Sequence, residues 1–344
     1  MLLRKFGGTN RVKRLTKMSI AALAAVCVLN LSRPSPAAAP EWPMLAPRGH
    51  DGTLSVMTYN VKGLPFPLAR GRVEALAKIA EGLRKLRREG RQPDVILLQE
   101  AFIPEAKEIA RRAGYAHVST GAGPEDARAG AGDDDFARNA AWTSGEGMGR
   151  WLDSGLVILS DHPIVRTRRM TFSDAMCAGF DCLAAKGVLV AWIAVPGRQR
   201  PVAVADTHLN ARKAAGVSVA RSNVAFARQA RAARAFIRAN VDAGTDLIFG
   251  GDFNVGKDAE RIAAMRDIVA GGHEASAAAD CSAYGAALKA DVAAIRERGK
   301  DKQFFRPGSE GPMRLRGLEV PFGAGNGGDE LSDHLGYVAR YVFS

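Results

Sequence analysis

The chain has 344 residues, 47% of them hydrophobic and 24% charged, a composition that builds an ordinary globular core and excludes a disordered or fibrous chain. Its formal charge of +12 suggests a polyanion partner until the N-terminus is set apart: residues 1–40 hold seven of the 48 Lys and Arg and none of the 36 acids, leaving +5 elsewhere. A balance that mild does not argue for nucleic acid.

Those first forty residues read as a secretory signal peptide with a Pro/Ala-rich exit. Arg4, Lys5, Arg11, Lys13, Arg14 and Lys17 precede an apolar run from Ile20 to Leu31, and Ala37, Ala38 and Ala39 follow. The run is short for a bilayer span. The expectation is an exported protein, periplasmic or extracellular, with one domain over residues 50–344. In an oxidising compartment Cys177 and Cys182, separated by Ala-Gly-Phe-Asp, are near enough to pair; the alternative is two free thiols, with Cys281 left over.

From Leu54 onward short apolar runs alternate with helical patterns. Leu54–Val61 reads as a strand, and Val73, Leu76, Ala80, Leu83 and Leu86 recur at helical spacing. Val95–Leu98 is a short apolar strand, 121–149 a Gly-, Ala- and Asp-rich loop, and further strands are expected at Leu156–Leu159, Val188–Ile193, Val202–Ala205 and Leu247–Phe249. A helix is expected over 218–240 with Val224, Ala227, Phe236 and Ile237 on its apolar side; Arg221, Arg228, Arg231 and Arg238 give it a basic face, read as solvated. Residues 258–270 form another helix, 271–300 are Ala-rich and ambiguous, and Tyr337–Phe343 alternates as a half-buried strand does. The pattern is that of one α/β domain.

Polar residues able to bind metal or move protons stand at the ends of these strands: Asn60, Glu100, His208, Asp252 and Asn254, with Asp333 and His334 just before the last one. Rigid strand ends can bring side chains to one rim with the precision catalysis needs. Carboxylates with amide oxygens suit Mg²⁺, with Mn²⁺ or Ca²⁺ as alternatives, rather than Zn²⁺. Two histidines beside such an ion supply a group to accept a proton from water and another to act at a leaving oxygen, and the ion offsets charge building on phosphorus. Each residue alone is weak; Gly250-Gly251-Asp252-Phe253-Asn254, for example, also suits a turn. Their joint occurrence at strand ends points to phosphoester hydrolysis.

Met57-Thr58-Tyr59-Asn60-Val61, Leu98-Gln99-Glu100, Ser154-Gly155-Leu156, Asp206-Thr207-His208-Leu209, Gly250-Gly251-Asp252-Phe253-Asn254 and Ser332-Asp333-His334 together resemble the endonuclease/exonuclease/phosphatase superfamily. The resemblance implies a four-layer, two-sheet α/β sandwich of the deoxyribonuclease I type, helices outside and the metal site at one edge. It makes Glu100 the principal metal ligand beside Asn60, with Asp333 assisting, and His334 the general base. Asp252 and Asn254 hold the phosphate or a second ion, and His208 acts at the leaving oxygen. Asp301, ahead of Phe304 and Phe305, is the candidate for the family's further aspartate.

The segment 154–193, with Cys177-Ala178-Gly179-Phe180-Asp181-Cys182 and Lys186-Gly187, is similar to bacterial and neutral sphingomyelinases. A lipid phosphodiester is therefore the favoured substrate, nucleic acid the alternative and a small phosphorylated compound a third. A transient membrane-surface contact is expected and no obligate protein partner. Membrane-attacking sphingomyelinases carry a late aromatic hairpin, whereas Arg314 to Glu330 offers only Phe322.

Overall fold

Alternation of apolar side chains builds two sheets. The computed structural model describes residues 52–126, 135–266, 268–323 and 331–343, so the expected signal peptide and its exit lie outside the described residues. Twelve strands occur among them: β1 (Thr53–Gly63), β2 (Val95–Ala101), β3 (His117–Thr120), β4 (Val157–Ser160), β5 (Ile164–Thr171), β6 (Gly187–Ile193), β7 (Val202–His208), β8 (Leu247–Asp252), β9 (His273–Glu274), β10 (Asp301–Arg306), β11 (Met313–Glu319) and β12 (Tyr337–Phe343). They form two six-stranded sheets, ordered β11-β12-β1-β2-β4-β3 and β5-β6-β7-β8-β10-β9. Two neighbouring pairs are parallel, β1 with β2 and β7 with β8, and the other pairs are antiparallel.

Side chains two apart share a face of a strand, and here one face of each sheet meets the other sheet. Leu54, Val56, Val95 and Leu97 of the first sheet pack in one core with Leu189, Ala191, Val202, Val204 and Ile248 of the second. The opposite faces carry helices. Leu76, Ile79 and Leu83 of α1 (Arg72–Arg88) cover Met57, Tyr59, Ile96 and Leu98. Phe226, Ala230, Ala233 and Ile237 of α2 (Val219–Asn240) cover Val188, Val190, Ala203 and Ala205. This is the expected four-layer sandwich. Ser218 caps α2, its hydroxyl accepting from the Arg221 N–H at 3.3 Å. α3 (Ala286–Arg298) adds Val292 and Ile295 to the central core.

Several expectations need correction. The buried side of α2 runs through Ala225, Phe226 and Ala230, and Val224 is exposed, because α2 buries Phe226 against the sheet. The basic face of α2 is not simply solvated: Arg221 and Arg228 both stack on the Phe136 ring, and Arg221 pairs with Glu146. The helix expected over 258–270 spans only Ala259–Ala264, capped by Asp258. β3, β5, β9 and β11, all at sheet edges, have no continuous apolar run; β5 carries Arg166, Arg168 and Arg169, as an edge facing water tolerates. None of the described helices is long and apolar enough to cross a membrane.

Candidate active site

The strand registers bring the polar residues together. Asn60 lies beside Gln99 in the parallel pair β1/β2, and His208 beside Asp252 in the parallel pair β7/β8. β10 runs antiparallel to β8, so Asp301, at its start, lies opposite Asp252, at the end of β8. Asn60, His208, Asp252 and Asp301 have the sequence parity of the residues facing the central core. They therefore occupy the open end of the space between the sheets. Glu100 has the parity of Ile96 and Leu98, which face α1, yet its backbone is left-handed at φ 55° and its carboxylate meets Asn60. Lys62, Glu100 and Asn254 are the non-glycine residues with left-handed φ among the described residues, and all three border this site. Gly251 is required for a different reason: its φ is 140°, and a Cβ there would lie 2.1 Å from the Thr207 carbonyl oxygen.

The Asn60 amide joins the two sheets, donating at 3.0 Å to Glu100 Oε1 and at 3.0 Å to Asp252 Oδ2. Ser332 fastens the turn before β12 to the same strand end by donating to the Asn60 carbonyl at 2.7 Å. His334 Nδ1 contacts Asp301 at 2.8 Å, leaving Nε2 3.7 Å from Asp252 Oδ2. His208 Nε2 reaches that same oxygen at 3.5 Å and accepts from the Lys186 ammonium at 3.1 Å. Lys186, itself buried, is held by Asp181 at 2.9 Å.

These surroundings drive the two imidazoles apart. Burial and then the Lys186 charge push His208 down to about 3. Burial opposes charge on His334 as well, but Asp301 and Asp252 outweigh it and raise that imidazole to about 9. Burial alone would raise Asp252; the two histidines, Asn60 and Lys186 hold it at about 2. Burial raises Glu100 above the usual carboxylate range, against the Asn60 hydrogen bond.

Donor atoms of Glu100, His208 and Asp252 lie within 4.8 Å of one another, as do those of Asp252, Asp301 and His334. Two carboxylates, the partly buried Glu100 and the buried Asp252, converge on one neutral amide, an arrangement that a divalent cation would relieve by adding positive charge between them. Glu100 and Asp252 fit such an ion as they stand, and Asn60 would join them through its amide oxygen, which here accepts from the Lys62 N–H at 3.0 Å, once the amide turns over.

Asn254 borders the group from the loop after β8: its N–H donates to Asp252 Oδ1 at 3.0 Å and its amide to the Leu209 carbonyl at 3.0 Å. Asp333 stands apart from both sets of donors. Its carboxylate is 57% exposed and pairs with Lys62 at 3.4 Å. Lys186 and Asp181 are the site residues that strand-end reasoning passed over. Cys177 and Cys182 do form a disulfide, and it brackets Asp181.

A family model described as the Endonuclease/Exonuclease/phosphatase family matches residues 57–268, a stretch that carries Asn60, Glu100, His208, Asp252 and Asn254. The chain belongs to this family. Members of it cleave phosphoester bonds, and the chain is a hydrolase of that class. Its fold matches sphingomyelinase C from Streptomyces griseocarneus at a TM-score of 0.56 and 21% identity, over 84% of this chain and 99% of that one. A mutant beta toxin from Staphylococcus aureus with bound magnesium ions gives 0.55 and 18%, over 85% and 99%. TDP2 from D. rerio, complexed with a single-strand DNA product, gives 0.54 and 17%, again over 85% and 99%. At such identities the likeness is one of fold. No curated protein matches the sequence.

Proposed function

We propose that this family member is an exported, divalent-metal-dependent phosphodiesterase of sphingomyelinase type that hydrolyses a phospholipid phosphodiester with an activated water. The observation that carries the hydrolytic part is the placement of two imidazoles on one Asp252 oxygen, at 3.5 and 3.7 Å, in opposite electrostatic surroundings.

His334 is arranged as a base. Asp301 holds Nδ1, so Nε2 faces the site, and the imidazolium formed when Nε2 takes a proton from water is stabilised by the same carboxylate. Its raised proton affinity belongs to a site whose acids carry full charge; a cation taking up the charge of Asp252 weakens one of the two groups responsible. Mg²⁺ held by Glu100, Asp252 and Asn60 would offset the negative charge that develops on the phosphoryl oxygens. At the other side the Lys186 ammonium, engaged by Asp181, His208 and the Leu209 carbonyl, positions His208 and adds positive charge beside a phosphoryl or leaving oxygen. Magnesium is favoured by the hard oxygen donors, and the beta toxin of similar fold was determined with that ion.

The lipid substrate is supported by the sphingomyelinase-like run around Lys186-Gly187 and by the likeness in fold to the Streptomyces griseocarneus sphingomyelinase C. Export is supported by the basic, apolar and small-residue order of residues 1–40 and agrees with the Cys177–Cys182 disulfide. The fold of a DNA-processing protein matches almost as well, so a nuclease is the second reading. One panel separates them: detergent-dispersed sphingomyelin, plasmid DNA, small phosphate monoesters and a chromogenic diester, each in Mg²⁺, Mn²⁺, Ca²⁺ and EDTA. Metal-dependent phosphocholine release supports the lipid reading, whereas DNA nicking without lipid cleavage replaces it.

A further inference from the structure

Large apolar side chains stand in water beside the active site. Phe66 is 61% exposed and Leu68 49% exposed, with Pro67 between them also exposed. They sit on the segment joining β1 to α1, and both ends of that segment are fastened at the active-site rim. Gly63 packs so closely on Glu100 that a Cβ would lie 2.6 Å from the Glu100 carbonyl oxygen. At the other end Arg72 donates to the carbonyls of Val61 and Lys62 at 2.8 Å each. Phe66 and Leu68 therefore project from the lip of the site contributed by the first sheet. From Val61 to Val73 the chain has Lys62, Arg70 and Arg72 and no acid, and the Arg70 guanidinium lies 5.9 Å from the Phe66 ring.

The opposite lip repeats the pattern. Phe180, 41% exposed, immediately precedes the Asp181 that holds Lys186, and the turn carrying Trp142, 59% exposed, packs against it at Gly145. Isolated exposed apolar residues are ordinary, but pairs of them on both sides of a buried polar site are the arrangement of a surface that meets another apolar phase.

We infer that these two lips are a bilayer-docking surface, with Phe66 and Leu68 entering the acyl boundary and Arg70 resting on lipid phosphates while the site between them receives a headgroup. This inference rests on the lipid reading above and supplies the apolar tip that the sequence lacks at 314–330. Interfacial binding scales with buried apolar area plus attraction to lipid phosphates, and the first lip offers both. The match of the Arg70 cation with the exposed apolar Phe66 and Leu68 beside it commits the occupant to a phospholipid surface rather than to a protein.

The test is cosedimentation of the full chain, in EDTA to stop turnover, with vesicles of phosphatidylcholine and sphingomyelin. Phe66→Ala/Leu68→Ala should reduce partitioning by about tenfold or more, with activity on the soluble chromogenic diester unchanged. Wild-type partitioning in the double variant, or no sedimentation of the wild type, overturns the docking surface. Failure of the lipid reading looks different: the wild type sediments with vesicles, yet releases nothing from detergent-dispersed sphingomyelin.

Discussion

His334 Nδ1 lies 2.8 and 3.0 Å from the two carboxylate oxygens of Asp301, a pairing between a turn and the first residue of an antiparallel strand 33 positions earlier. The carboxylate fixes which imidazole nitrogen faces the site. Asp301→Asn keeps the shape but offers an amide in place of the charge, so turnover on the soluble diester in Mg²⁺ should fall by about 10²- to 10⁴-fold. An unchanged initial rate would remove His334 from the role of base.

The same pair predicts a pH dependence of the metal-free protein. With the folded His334 raised to about 9, its stabilisation is complete below the unfolded value, about 6.5, and is lost as pH rises through about 9. Urea midpoints in EDTA should decline over that window in the wild type. In Asp301→Asn the decline should be shallower, since the largest of the charges raising His334 is gone.

Glu100→Gln preserves the hydrogen bond from Asn60 while removing one of two clustered carboxylates. Turnover should drop by about three orders of magnitude or more, and calorimetric titration should show much weaker Mg²⁺ binding. Because burial already disfavours charge at this position, the variant should melt within a few degrees of the wild type in EDTA. Mg²⁺ affinity equal to the wild type's would disprove the ligand assignment.

How much of this was legible depends on strand direction. His208 and Asp252 end strands of a parallel pair, and Asn60 and Glu100 lie near the ends of another; such registers put like ends together, so reading the C-terminal edge of each apolar run finds them. Lys186 and Asp301 precede or begin strands that run antiparallel to their neighbours, which brings N-terminal ends to the same rim. No apolar run points at them, and Asp301 was reached only through family resemblance. Asp333 shows what strand-end reading leaves open, namely which way a side chain turns. Its dipeptide partner His334 turns inward, and the adjacent carboxylate then faces Lys62 and solvent. The edge strands were illegible for a separate reason: a strand with one partner and a wet flank is not required to be apolar.

Lys186 is buried between Asp181 and His208, so its removal has an effect that can be followed at a neighbour. In Lys186→Met the His208 imidazole loses one of the causes holding it at about 3, and its titration by NMR should move upward, though burial remains the larger cause. Turnover should fall by about 10²- to 10³-fold, the scale of one electrostatic stabiliser removed from beside a developing oxyanion. A His208 titration that did not move would mean the ammonium and imidazole are not neighbours in solution.

Asp206, one sheet position before that site, is a structural counterpart. Gln99 donates to its Oδ1 at 2.7 Å across the two sheets, while Asp206 Oδ2 and Gln99 Oε1 have no hydrogen-bond partner among the described residues. Burial raises this carboxyl well above its usual range despite the Gln99 bond. A raised carboxyl costs the folded state nothing below the unfolded value, about 3.9, and destabilises it progressively as pH rises toward the folded one. Asp206→Asn cannot ionise and brings an N–H donor to a pair with an orphaned acceptor. Its advantage over the wild type in urea midpoint should therefore grow as pH rises above about 4, whereas parallel curves would show that Asp206 is not strained by its charge.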